Sequence, residues 1–281
     1  MNALLFILLN LINPLTESKV SKSFTLDSLG ACQGITYLDS KVYAYGDREV
    51  GVIREYKFNT NTLIFTGLEC KLSIEGKNII KHPTGIAYKD GKIFIGNSVR
   101  LPENKNHWIA EIYLLDWNIL LNDRVLDNAI LNRIEDDLAI QGTRPEYVKF
   151  NNNYYIATAD YGNNCNEVRL YNPEQLAKAS KTSEEGVLLT KFKCGPWVQN
   201  LHWIEKENIL VLVQNQIEGR KWRLTFLDLP ASINAGEEQI LKVIDFDRQD
   251  ELEGFCLLND ISVALATTSS RKDNLHIIDI K

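Results

Sequence analysis

An all-β repeat fold is predicted by three observations. First, a short pattern returns five times, about every 50 to 60 residues: Gln33-Gly-Ile-Thr-Tyr, Thr84-Gly-Ile-Ala-Tyr, Glu146-Tyr-Val-Lys-Phe, Asn200-Leu-His-Trp-Ile and Glu253-Gly-Phe-Cys-Leu. Second, each copy passes a polar turn into another apolar strand, beginning at Lys41, Lys92, Asn153, Asn208 and Ile261. Third, the fifth unit stops at Lys281 one strand short, while Ser21-Lys-Ser-Phe-Thr-Leu-Asp27 offers a spare strand near the start. A fixed period with several strands per unit marks a β-propeller. Residues 21–281 are therefore expected to form a single five-bladed β-propeller, closed by the N-terminal strand so that no sheet edge is left open.

Within the units, third strands read Val52 to Phe58, Trp108 to Leu115, Glu167 to Tyr171, Trp222 to Leu227 and Leu275 to Ile280. Val52 to Phe58 and Trp222 to Leu227 alternate polar with apolar, as half-exposed strands do. Fourth strands fit Thr62 to Thr66 or Cys70 to Ile74, Gly186 to Cys194, and Gln239 to Phe246. Asn118 to Gln141 reads as an insertion of helix or irregular chain. Pro173 to Ala179 reads as one or two helical turns, with proline at the first position.

Residues 1–20 differ from the rest. Ala3 to Ile12 is almost wholly apolar and is followed by Asn13-Pro14 and a polar stretch. This resembles the core of a signal peptide but lacks a positively charged start and a small-x-small cleavage site. Two outcomes stay open: a signal peptide on a secreted or periplasmic protein, or a buried N-terminal segment of a cytoplasmic one. No run reaches the roughly 18 apolar residues that a membrane span needs. The formal charge of −6 argues against a nucleic-acid partner. A monomer is expected. The five cysteines are odd in number and have no CxxC spacing, so neither a disulfide framework nor a cysteine zinc site is indicated.

In a propeller the inner strands run along a central channel, and the loops before strand one and after strand two open on one face. Gln33, Thr84, Glu146, Asn200 and Glu253 begin the inner strands, and all carry side-chain oxygens. Such a ring suits a hard cation, Ca²⁺ above all, which takes about six to eight oxygen ligands. The same groups could equally close hydrogen bonds between blades or hold channel water. The loops after the second strands supply Asp47 and Arg48, Arg100, Asp160, Arg220 and Arg271, with Arg144 just ahead of the third inner strand. Guanidinium forks suit phosphate and carboxylate, so this rim is read as a substrate-binding site for an anionic small molecule. Asp47 and Asp160 are the candidate catalytic bases. Trp197, Trp203 and Tyr161 could stack on a sugar or base, or fill gaps between blades. His202, two residues after Asn200, is the histidine placed nearest the channel. GxSxG, Walker, GxGxxG and HExxH motifs are absent.

Lys41-Val-Tyr43 followed by Gly46-Asp47-Arg48-Glu-Val-Gly51 is similar to the first blade of the soluble calcium-activated nucleotidases (apyrases). The resemblance implies a calcium ion held at Gln33, Thr84, Glu146, Asn200 and Glu253, and hydrolysis of a nucleotide. Gly46 replaces one aspartate of that family's loop, and Thr158-Ala159-Asp160 stands where it has paired arginines. Gln33-Gly34-Ile35 also resembles the plant and bacterial type of glutaminyl cyclase, whose essential acids would fall near Thr84 and Asn200. Two functions follow as expectations. One is a cation-assisted hydrolase, in which Ca²⁺ orients water and Arg48 stabilises developing charge. The other is a non-catalytic propeller binding a glycan, peptide or protein on the same face. A purely structural ring is the third possibility.

Overall fold

The computed structural model describes residues 18–59, 62–101, 108–258 and 263–280, without the side chains of Gln216 and Arg220. The apolar segment Ala3 to Ile12, the strand start at Ile261 and the Arg220 side chain lie outside this description. The chain opens with β1 (Lys19–Phe24). Blade one then comprises β2 (Cys32–Leu38), β3 (Lys41–Gly46), β4 (Val52–Asn59) and β5 (Thr62–Lys71), followed by the small hairpin β6 (Ser73–Ile74) and β7 (Lys77–Asn78). Blade two is β8 (Pro83–Lys89), β9 (Lys92–Arg100), β10 (Trp108–Asp116) and β11 (Ile130–Glu135). Blade three is β12 (Glu146–Phe150), β13 (Asn153–Ala159), β14 (Glu167–Tyr171) and β15 (Leu188–Lys193). Blade four is β16 (Val198–Ile204), β17 (Ile209–Ile217), β18 (Lys221–Asp228) and β19 (Ile240–Phe246). Blade five is β20 (Leu252–Leu257), β21 (Val263–Thr268) and β22 (Leu275–Asp279), with β1 as its outer strand. The fold is a five-bladed β-propeller.

The closing strand pairs antiparallel with β22, from Lys19 opposite Asp279 to Phe24 opposite Leu275. It starts and ends slightly earlier than Ser21 to Asp27, because Leu26 turns into the core with its backbone held by Asn274. The expected insertion at Asn118 to Gln141 is corrected. A helix at Trp117–Asp123, capped by the Asp116 side chain, leads into β11, the outer strand of blade two. Of the two alternatives for the outer strand of blade one, Thr62 to Thr66 lies wholly in β5, bulged opposite Arg54 and Tyr56, whereas Cys70 to Ile74 divides between the end of β5 and the hairpin strand β6.

Local sequence explains the tight inner hairpins. Asp39 and Ser40, Asp90 and Gly91, and Asn151 and Asn152 all have positive φ. That is the requirement of a two-residue type I′ turn, and short polar residues or glycine meet it most easily. Each junction between neighbouring blades has its own apolar cluster. Tyr43, Ile53, Ile86 and Ile93 join blades one and two, while Phe94, Ile112, Ile156 and Tyr171 join two and three. Val168, Phe192, Leu201 and Leu210 fill the next junction. Trp222, Phe226, Phe255 and Ala264 follow, and Leu29, Ile35, Leu265 and Ile277 complete the ring. Cys32, Cys70 and Cys256 are buried free thiols within these clusters, whereas Cys165 is exposed. No helix among the described residues is long and apolar enough to cross a membrane.

Candidate functional site at the channel mouth

The inner strands β2, β8, β12, β16 and β20 are mutual neighbours around the axis. The axis is not open. Tyr45 of β3 projects through the gap left by Gly34, where a Cβ would collide with its hydroxyl. The Tyr45 hydroxyl accepts a hydrogen bond from Asn200 Nδ2 at 2.8 Å, and the Gly85 backbone N–H also bonds it. One tyrosine thus ties blades one, two and four together at the centre.

The five ring positions meet different fates. Thr84 Oγ1 donates to the Thr143 carbonyl at 2.6 Å and contacts Ser98 Oγ at 3.2 Å. Asn200 also bonds the Glu253 carbonyl, and its Oδ1 accepts the Leu201 N–H. Gln33 Nε2 donates to Asp47 Oδ2 at 3.2 Å. Glu146 and Glu253 retain carboxyl oxygens with no side-chain donor among the described residues. Burial raises both well above the usual carboxylate range. For Glu253, which is 4% exposed, Glu251 and Asp47 push further upward while Arg144 opposes them. No cluster of three acidic, histidine or cysteine side chains suited to a metal occurs among the described residues. Thr84 and Asn200 use their side-chain oxygens on protein partners and Gln33 uses only its nitrogen, so Gln33 Oε1 and the two carboxyls are what the ring offers a cation, short of the roughly six to eight oxygens of a calcium shell.

Around Glu253 the mouth is assembled from all five blades. Asp47 Oδ2 is held by Gln33 and by His82 Nδ1 at 3.0 Å, and its Oδ1 accepts the Ala31 N–H. Glu251 accepts from Gln199 Nε2 at 3.1 Å and Ser269 Oγ at 3.3 Å. Arg144 is 1% exposed, donates to the Gln199 and Gln141 carbonyls, and lies 5.5 Å from the Tyr161 ring centroid. Burial pushes its guanidinium down to about 10, against the pull of Asp160 and Glu253. Trp108, Tyr161 and Trp197 form an aromatic arc, with successive ring centroids 6.3 and 5.4 Å apart. Trp197 has φ +61°, a conformation that bulky residues adopt only where the surroundings hold them. Its N–H bonds the Gly162 carbonyl, and its own carbonyl accepts from Asn215.

The other residues singled out in the sequence lie elsewhere. Asp160 is buried in a two-point ion pair with Arg169 and accepts the backbone N–H groups of Ile140 and Gln141. Its carboxylate is locked to the Arg169 guanidinium at 1% exposure, out of reach of water, which leaves it unsuited to act as a base. Arg48 turns outward to Glu69 at 3.1 Å, an acid it shares with Arg54. Arg100 is exposed at the end of β9, and Arg271 is exposed in the loop between β21 and β22. Of the rim residues, Asp47 and Arg144 are held by hydrogen bonds at the mouth. His202 accepts the Leu257 N–H through Nε2, and burial pushes it down to about 4. Sequence reasoning missed Tyr45, His82, Glu251 and Trp108. Tyr45 had a signal, since a glycine in each of three inner-strand motifs leaves room for a side chain from the next strand. His82 and Glu251 had none beyond lying in loops that precede inner strands.

No protein-family model and no curated protein matches the chain. Solved structures do. A GH43 β-xylosidase/α-arabinofuranosidase from a compost microbial metagenome, in complex with xylotriose, aligns with TM-score 0.54 at 10% identity, covering 94% of each chain. A GH43 β-1,3-galactosidase with galactodeoxynojirimycin aligns with TM-score 0.54 at 13% identity, covering 92% of this chain and 93% of that one. Both likenesses run the length of the propeller, and what they share with this chain is its fold.

Proposed function

We propose that the channel mouth binds a carbohydrate and that Glu253 is the proton donor of a glycoside-cleaving reaction there. The observation that carries this reading is the state of Glu253. Its carboxyl is buried, has no side-chain donor among the described residues and stands near Glu251 and Asp47, so the neutral acid is favoured. Glycoside hydrolysis uses such a pair: one carboxylic acid kept protonated to protonate the leaving oxygen, and a carboxylate facing the other side of the sugar. Asp47, oriented by Gln33 and His82, is positioned to take a proton from water as that water's oxygen bonds the sugar carbon and the glycosidic bond breaks. The arc of Trp108, Tyr161 and Trp197 supports the reading, because aromatic faces stack on the apolar faces of sugar rings. The glycoside-cleaving names of the two similar propellers support it at the level of fold. A second reading, an anionic ligand, is favoured by Arg144, whose buried guanidinium touches no carboxylate among the described residues.

Nitrophenyl β-xyloside, α-arabinofuranoside and β-galactoside, with the corresponding oligosaccharides in thermal melts, test the proposal. Cleavage is expected, and Glu253→Gln should lower it by about 10² to 10⁴, the usual contribution of a general acid. Stabilisation by phosphate or a uronate but by no neutral sugar would favour the second reading. Inertness toward every one of these compounds would overturn both.

A further inference from the structure

The face opposite the mouth carries a separate cavity. Inner strands begin at the mouth, so the β8–β9 and β12–β13 turns emerge on the far side. Between them lies a groove of about 750 Å³ at the junction of blades two and three. Its floor is apolar, from Phe94 and Leu114, which are almost fully buried. Tyr147 and Tyr154 wall it, with centroids 6.4 Å apart and planes at 83°, and Phe94 meets Tyr147 at 6.2 Å. We propose that this groove is a second carbohydrate-binding site, independent of the mouth.

The polar lining suits hydroxyl groups. Asn152, at φ +62° on the tip of the β12–β13 turn, is exposed, and its amide has no partner among the described residues. Asn172 accepts the Glu174 and Gln175 N–H groups through Oδ1, which leaves its Nδ2 donors for a ligand. The lining charges balance, Lys89 and Lys92 against Asp90 and Glu174. Lys89 and Lys149 both approach the Tyr154 ring, at 4.1 and 5.3 Å. Each is also paired, Lys89 with Asp90 and Lys149 with Glu205, both at 3.1 Å. A phosphate or nucleic-acid ligand needs uncompensated cations, whereas a neutral sugar needs an apolar floor and amide or hydroxyl rims. The volume falls in the range of ordinary small-molecule sites, roughly 300 to 1,000 Å³, with room for more than one sugar ring.

Native electrophoresis through gels containing arabinoxylan, β-1,3-galactan, β-glucan or mannan tests this site. At least one polysaccharide should retard the wild type. Asn152→Gly keeps the positive φ and removes only the amide, and Tyr154→Ala removes one wall. Each should weaken binding by about tenfold, the effect of losing one good contact, while Glu253→Gln is retarded like wild type. Should Tyr154→Ala unfold, Asn152→Gly decides alone. Retardation unchanged in folded variants, or absent with all four polysaccharides, overturns the proposal. Loss of glycoside cleavage with retained retardation would instead fault the mouth alone, so the two failures are distinguishable.

Discussion

His276 shows how much one side chain depends on the ring being closed. It is fully buried on β22, with Nδ1 2.8 Å from Ser23 Oγ of the closing strand and its ring edge-on to Trp222. Nε2 faces Asp250 at 3.7 Å, while Arg248 holds that same Asp250 in a two-point pair. Burial first, then Arg248, pushes His276 down to about 4, and burial alone does the same to His202. A histidine with a depressed folded value binds protons more readily when unfolded. Its stabilisation is therefore complete above the ordinary value of about 6.5 and is lost as pH falls toward 4. Glu146 and Glu253, raised by burial, have the opposite sign: their contribution is complete below the ordinary carboxyl value and is lost as pH rises through their folded values. Differences between variants separate the two effects. In urea melts, His276→Gln should lose less stability than wild type between pH 6.5 and 4.5, by about 2 kcal/mol at order of magnitude. Parallel pH profiles would mean that His276 is charged or solvated in the native state. From the sequence alone His202 was the histidine of note and His276 was not, because their burial follows from which blade packs against which.

The closing strand is the element that turns five sheets into a ring. Beyond the ladder to β22, Asn274 clamps it: Oδ1 accepts the Leu26 N–H at 2.7 Å and Nδ2 donates to the Leu26 carbonyl at 2.9 Å, both buried. Asn274→Ala would leave two buried backbone groups unpaired, each costing about 1 to 3 kcal/mol. Its melting temperature should drop by several degrees, more than that of Ser21→Ala, which loses a single partly buried bond to Ile277. Equal melts for the two variants would show that the ladder alone closes the ring. Such elements were legible because the inner-strand motif, its polar turn and the apolar strand after it recur in every unit. The strand Ile130–Glu135 was not, since a helix precedes it and its outer edge carries exposed Leu131. The rim failed for a different reason. Equivalent loop positions do fall on one face, but the direction of each side chain depends on its nearest acid. Glu69 on an outer strand draws Arg48 away from the mouth, and Arg169 draws Asp160 inward. Neither pairing is visible without the strand register.

At the scale of the whole molecule, the decisive fact is that the channel is plugged. Five inner strands bring five polar residues toward one axis, as their shared position implies, yet Tyr45 fills the centre and takes Asn200 as partner. Glu253 feels Glu251, Arg144 and Asp47 at the mouth, whereas Glu146 acts on Tyr45 and Cys256 deeper in. Neither carboxyl counts among the influences on the other, so they do not form a shared cage. Calcium held by all five ring residues would require Tyr45 to leave the axis and Asn200 to release it. The expected outcome is therefore a melting temperature that changes by no more than about 1 °C between millimolar calcium and chelator. Binding at a hundredfold excess over Kd would add about 2.7 kcal/mol and move the melt by several degrees. If that larger rise appears, and Glu146→Gln with Glu253→Gln abolishes it, the plug is displaced by the ion and the ring works as a metal site. If the rise persists in the double variant, calcium binds elsewhere on the propeller, and the axis keeps the role its hydrogen bonds give it, joining the blades.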